Sequence, residues 1–162
     1  AQAARDINFE AMRSARGAFS LSACWLNEGE YLRLNSQFAD AIVAFRLGGS
    51  IPGEEALAGN AGRIGLQARL AILECMRLCG KPRVADYERM ERLAKANGSE
   101  WLCMRTRLGR FFAIWQKDGK APQRLKAQLV RELSNGRFPL ELRIFDEGLA
   151  EGPGAPLPLV FN

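Results

Sequence analysis

WLNEGEYLRLNSQFADAIVAF, Trp25 to Phe45, decides how the chain is read. Tyr31, Leu34, Phe38, Ala41, Ile42 and Phe45 recur at steps of three and four, which gathers them on one face of a helix. Gly29 supplies a turn before that helix and Gly48-Gly49 ends it. Upstream, Arg5 to Leu26 reads as an earlier helix with Phe9, Met12, Phe19, Ala23 and Leu26 on one side, interrupted by Gly17. The alternation in FSLSACW offers a strand instead, but the clear helix that follows favours an αα-hairpin.

Working outward, the linker GGSIPGEEALAGNAG leads to Arg63–Cys79, where Ile64, Leu70, Ile72, Leu73, Met76 and Leu78 spread over several faces. A helix apolar nearly all round is expected to be wrapped by others. Gly80 stops it and Pro82 opens the next, with Tyr87, Met90, Leu93 and Ala94 as its stripe and Glu88–Arg92 and Glu91–Lys95 as supporting pairs. Asn97-Gly98 closes that helix, and Ser99 caps one whose Trp101, Met104, Leu108, Phe111, Phe112 and Trp115 share about a third of the circumference. Such a stripe reads as core rather than as a platform for stacking bases. After KDGKAP, Pro122 opens a helix carrying Leu125, Leu129 and Leu133, and Gly136 ends it. Hairpins in succession predict an all-α repeat array, with residues 1–137 helical and residues 138–162 an extended C-terminal segment.

The first hairpin resembles a tetratricopeptide unit, in which small residues let two helices approach and large ones fill the gap. Trp25, Gly29, Leu32, Ala41, Phe45 and Pro52 follow that order, whereas Glu28 stands where the pattern has leucine and Leu32 where it has tyrosine. The later hairpins do not repeat it at 34 residues. The expected fold is therefore a tetratricopeptide-like αα-hairpin superhelix, irregular in its repeats, with a short extended C-terminal segment.

Composition narrows the chemistry. The 162 residues contain no histidine, which removes Ser-His and Cys-His nucleophile pairs and mixed Cys/His zinc sites. LCGKPR has Gly-Lys but lacks the other residues of a phosphate loop. Cys24, Cys75, Cys79 and Cys103 lack C-x-x-C spacing and read as buried thiols. Glu141, Asp146 and Glu147 read as solvated surface. No enzyme activity and no cofactor are expected, and the absence of a long apolar run or signal segment predicts a cytoplasmic protein without membrane contact.

Charge is uneven: Arg63 to Arg137 holds 17 Lys/Arg against 7 Asp/Glu, and the rest 6 against 11. Such a block suits an anionic ligand, an acidic domain or nucleic acid, although cationic side chains also simply solvate helix faces. Arg107, Arg110 and Lys117 lie opposite the aromatic stripe, with no acid of the same helix to neutralise them. Arg69, Arg107 and Arg110 are the candidate ligand- or partner-binding residues. LAKANGSEWLCM has the outline of a helix-turn-helix, but Asn97 and Ser99 occupy positions that such a turn fills with apolar groups, so direct DNA contact is not expected.

The C-terminal stretch GRFPLELRIFDEG, Gly136 to Gly148, reads as extended and closes on Asp-Glu-Gly. Helical hairpins followed by Gly136, an apolar run and RIFDEG (Arg143 to Gly148) resemble the end of the helical-repeat region of MalT-like transcription activators, the large ATP-binding regulators of the LuxR class. The resemblance covers Arg63 to Gly148. It implies an inducer-sensing or oligomerisation domain without its ATPase and DNA-binding modules. The implied partners are a small-molecule inducer or a protein, those two domains of the parent chain, and further copies in a homo-oligomer. AEGPGAPLPLVFN departs from the helical continuation expected of that family. A stand-alone adaptor or chaperone that captures a peptide is the alternative, and a nucleic-acid binder comes third.

Overall fold

The computed structural model describes residues 2–15, 18–49 and 59–158, and every regular element among them is an α-helix. The helices are α1 Gln2–Ser14, α2 Ala18–Leu34, α3 Phe38–Gly49, α4 Gly59–Leu78, α5 Val84–Ala96, α6 Glu100–Asp118, α7 Gln123–Leu133 and α8 Pro139–Glu151. The all-α, hairpin-built expectation holds. Gly17 and Pro52 lie outside the described residues, as does the side chain of Phe19. Contacts separate two compact units, with the boundary between Cys75 and Met76. Residues 138–158 therefore belong with α5, α6 and α7 and not to a separate segment, contrary to the expected division at 137/138.

In the first unit, α2 and α3 form the hairpin, but its turn is at Asn35–Gln37 and not at Gly29. Ser36 takes a left-handed φ of 60°, and the Ser36 and Gln37 amides donate to the carbonyls of Arg33 and Leu32, closing α2 with a Schellman motif. Gly29 is inside α2 because of its missing side chain: a Cβ there would come within 2.6 Å of the Phe45 ring. Phe45 and Ala41 are wholly buried, so a small residue of α2 and a large one of α3 interlock. Helix α1 packs on α2, where Asn8 Nδ2 donates to the Cys24 carbonyl at 3.0 Å.

In the second unit, α5 pairs with α6, and α6, α7 and α8 pack on one another. Schellman turns again close α4, at Gly80, and α5, at Gly98, and the Ser99 hydroxyl accepts from the Leu102 amide at 3.3 Å to start α6. The core is built from Leu108, Phe111 and Phe112 of α6, Leu125, Leu129 and Leu133 of α7, and Ile144 and Phe145 of α8. Each such side chain contributes about 1.5–3 kcal/mol on burial. The stripe read on α6 is core, as its spacing predicts.

The stretch 139–151 is a helix and not extended. Alternation in PLELRIF suggests a strand, but Glu141, Ile144, Phe145 and Gly148 fall at helical steps and are the buried residues, and Pro139 at the first helical turn fixes a helical φ. The helix gives way at Gly152 to a turn, and residues 155–158 follow it as irregular chain. Helices α3 and α8 also share a pattern at a spacing of 100 residues. Phe38 and Phe138 flank the start, Phe45 and Phe145 are buried at 0%, and Gly48 and Gly148 each seat a neighbouring side chain, Leu26 or Phe112. A left-handed residue, Ser36 or Gly136, lies two before each first Phe.

Candidate functional site

The three candidate arginines fall in two different units. Arg69 is exposed on α4 in the first unit and is engaged by its own surroundings. Arg107 and Arg110 are half-buried on α6 in the second unit, and neither is an unpaired cation. Arg107 donates from Nε to Glu91 of α5 and from Nη1 to Glu132 of α7, while Arg110 Nη1 lies 3.0 Å from the other Glu91 oxygen. Gln128 Nε2 donates to Glu132 at 2.8 Å and orients that carboxylate. Burial alone would lower the Arg107 pKa, but hydrogen bonds and charges from Glu91 and Glu132 outweigh it and hold the guanidinium above its ordinary range. The acids absent from α6 are thus supplied by its neighbours, and Glu91 turns to α6 for its partners.

This network forms one wall of an open cleft of about 500 Å³. Helices α5, α6 and α7 and the start of α8 enclose it. Met104, Cys103 and Phe138 give it apolar surface, and Lys95, Arg107 and Arg137 face it together with Glu91, Glu100 and Glu132. Arg137 pairs with Glu100 at the exposed rim and lies over the Phe138 ring. Burial pushes the Cys103 thiol above its ordinary value, with Arg107 pulling the other way, so near neutral pH it is a neutral, weakly polar wall group. A cleft with both signs of charge and an apolar floor can hold a ligand that carries both signs itself.

A second polar cluster was not legible in the sequence. Glu141, read as solvated surface, is 4% exposed; it accepts from Trp101 Nε1 at 2.9 Å and from Arg105 Nε at 3.0 Å. Arg77 and Arg105, at 0% and 2% exposure, direct guanidinium groups at the main chain of residues 153–158. Arg105 is lowered from its ordinary pKa, mainly by burial, against the opposing effect of Glu141. Once 139–151 is read as a helix, Glu141 shares a face with Ile144, Phe145 and Gly148, which is the signal that would have marked it as buried.

In the first unit, Glu28 occupies the place where the tetratricopeptide pattern has leucine. It is buried and accepts from Arg5 Nε at 2.9 Å and Nη2 at 2.6 Å, and the Arg5 guanidinium sits 4.8 Å from the Tyr31 ring centre. An ion pair between α1 and α2 thus replaces an apolar contact. Cys24 and Cys75 are buried as expected, whereas Cys79 is exposed and Cys103 half-buried. Among the described residues no cluster of His, Cys, Asp and Glu is arranged to hold a metal ion, and no helix is long and apolar enough to cross a membrane. No protein-family model, curated protein or solved structure matches the chain.

Proposed function

We propose that the chain is a regulatory helical-hairpin module of the kind found in MalT-like transcription activators, binding a small-molecule inducer or a protein partner in the cleft of its second unit. The observation that carries this reading is the convergence of Arg107, Glu91 and Glu132 from three different helices on one side of that cleft. A ligand bearing a carboxylate and an ammonium group would compete for both halves of the network, and the three helices would re-pair around it. Binding is then coupled to how α5, α6 and α7 pack, which is the property a sensor needs. In this reading the cytoplasmic parent chain supplies ATPase and DNA-binding domains, and the module controls their assembly without catalysing a reaction itself.

The test is a thermal-shift screen of the chain against amino acids, organic acids, sugars and short peptides, with size-exclusion chromatography on each hit. A ligand that binds only the folded state raises the melting temperature saturably. Such a rise for one class of compound, lost in Arg107→Ala and Glu132→Gln, supports the sensor. If no small molecule moves the transition and a partner domain does, the inducer reading fails and the module is a protein-interaction scaffold.

A further inference from the structure

We propose that the second unit contains a groove for a proline-containing apolar segment that enters by a turn and then runs extended, filled in this chain by its own residues 152–158, and that a partner protein's segment of the same pattern competes for it. The chain leaves α8 at Gly152, whose φ is 99°, makes a turn in which the Ala155 amide donates to the Gly152 carbonyl at 3.1 Å, and continues as APLP without regular structure. Ala155 and Leu157 are buried at 3% and 2%, while Gly154, Pro156 and Pro158 are exposed. That alternation is the mark of an extended chain with one edge set into a surface.

The main chain of this segment is read by arginines. Arg77 donates from Nη1 to the Pro153 carbonyl at 2.7 Å and from Nη2 to the Ala155 carbonyl at 2.6 Å, and Arg105 Nη1 donates to the Pro158 carbonyl. Prolines at 153, 156 and 158 lack N–H groups and suit a chain whose carbonyls are read from one side by donors that have no acceptor role. The readers are held by other groups. The Arg77 guanidinium lies 5.7 Å from the Phe112 ring centre, and Arg105 is fixed by Glu141, itself held by Trp101. Arg105 Nη2 is buried with no hydrogen-bond partner.

These contacts define the chemistry of the occupant: a Gly-Pro-Gly turn followed by a short extended stretch with a small apolar residue and a leucine-sized one two positions apart, flanked by prolines and recognised through its carbonyls. The tethered copy acts at an effective concentration on the order of millimolar, so a competing segment is held off until the tether is weakened.

The probe is a fluorescein-labelled peptide of residues 151–158, EGPGAPLP, read by anisotropy against the full chain. The variant Ala155→Asp/Leu157→Asp weakens the tethered copy. It is expected to bind the peptide saturably and at least tenfold more tightly than the unmodified chain does, and Arg77→Lys in the same background is expected to remove most of that binding. Should the double variant lose its helical circular dichroism, protease sites placed between Glu151 and Gly152 and after Pro158, cut in the folded state, remove the tether without changing the groove. The labelled peptide is then expected to exchange in. Absence of binding in a folded form of either protein, or equal binding of a scrambled peptide, overturns the proposal. If the tether-cut or variant protein instead forms a dimer by exchanging this segment, the occupant is a second copy and the partner-protein assignment is overturned.

Discussion

Gly148→Ala tests whether the closeness of α8 to α6 is built on one missing methyl group. A Cβ at 148 would lie 2.5 Å from Cζ of Phe112 and 3.1 and 3.2 Å from its Cε atoms, where about 3.5–4.0 Å is comfortable. The ring has little room to retreat: Phe112 is wholly buried, with Phe111 at 5.1 Å, Trp115 stacked at 6.2 Å and Phe145 at 6.4 Å between ring centres. Overpacking costs about 1–3 kcal/mol, and a shortfall of about 1 Å against a fixed ring belongs in the upper half of that range. Replacing a mid-helix glycine with alanine returns about 1 kcal/mol of helix propensity. The net expectation is a loss of about 1–2 kcal/mol. It is measured by urea unfolding in a Trp25→Phe background, which leaves Trp101 and Trp115 of the second unit as the fluorescent reporters. Phe112→Leu shortens the opposing side chain, so the double variant should lose less than the sum of the single ones by over about 0.5 kcal/mol. A gain of about 1 kcal/mol for Gly148→Ala, as at an ordinary helical glycine, or strict additivity in the double variant, refutes the interlock.

Three further outcomes follow from the same contacts. Glu141→Ala leaves Arg105 buried without its counter-charge, and breaking a buried pair in this way costs about 3–5 kcal/mol, read by urea unfolding; a loss below about 1 kcal/mol would mean that the cluster is solvated. Ser99→Ala removes the cap that accepts from Leu102 and should cost about 1 kcal/mol in the same measurement. Burial raises the Cys103 thiol above its ordinary value in the folded state, so as pH rises through the ordinary thiol range the unfolded thiol ionises first and stability falls. Cys103→Ser should flatten that fall, and a neutral disulfide reagent at pH 8 should modify exposed Cys79 well before Cys103; equal rates would contradict the burial argument.

How much of this was legible in the sequence depends on what each signal measures. Spacing along α4, α6 and α7 reports which face is apolar, and those helices lie where their periodicity puts them. Gly29 was misplaced as a turn because glycine has two uses: it permits left-handed turns, and it admits a neighbour's side chain within a helix. Only the partner, Phe45, separates the two, and it is 16 residues away. The real turn is at Ser36, a serine in a conformation that glycine usually takes, flanked by apolar residues whose three- and four-residue steps run across it unbroken. The 139–151 stretch fails for a related reason. Over seven residues, alternate and helical apolar spacings coincide, and Gly148 settles the choice only once Phe112 is known to sit against it.

The sites follow the same rule at longer range. Periodicity found Arg107 and Arg110 because it identifies the face opposite a core, but that face is empty only if no other helix covers it. Glu91 and Glu132 lie 16 and 25 residues away from Arg107 in sequence and on two other helices, so nothing local to α6 could show that its cations were paired. Arg77 and Arg105 were harder still, since a charged residue on an apolar helix is ordinarily turned to water. Their burial makes physical sense together with Glu141, which pairs with Arg105, and with carbonyls of a segment more than 50 residues downstream, whose prolines leave those carbonyls without strand partners. The buried arginines of α4 and α6 and the irregular segment after α8 are therefore two halves of the same arrangement. Donors buried on α4 and α6 required acceptors, and the carbonyls of Pro153, Ala155 and Pro158 supply them.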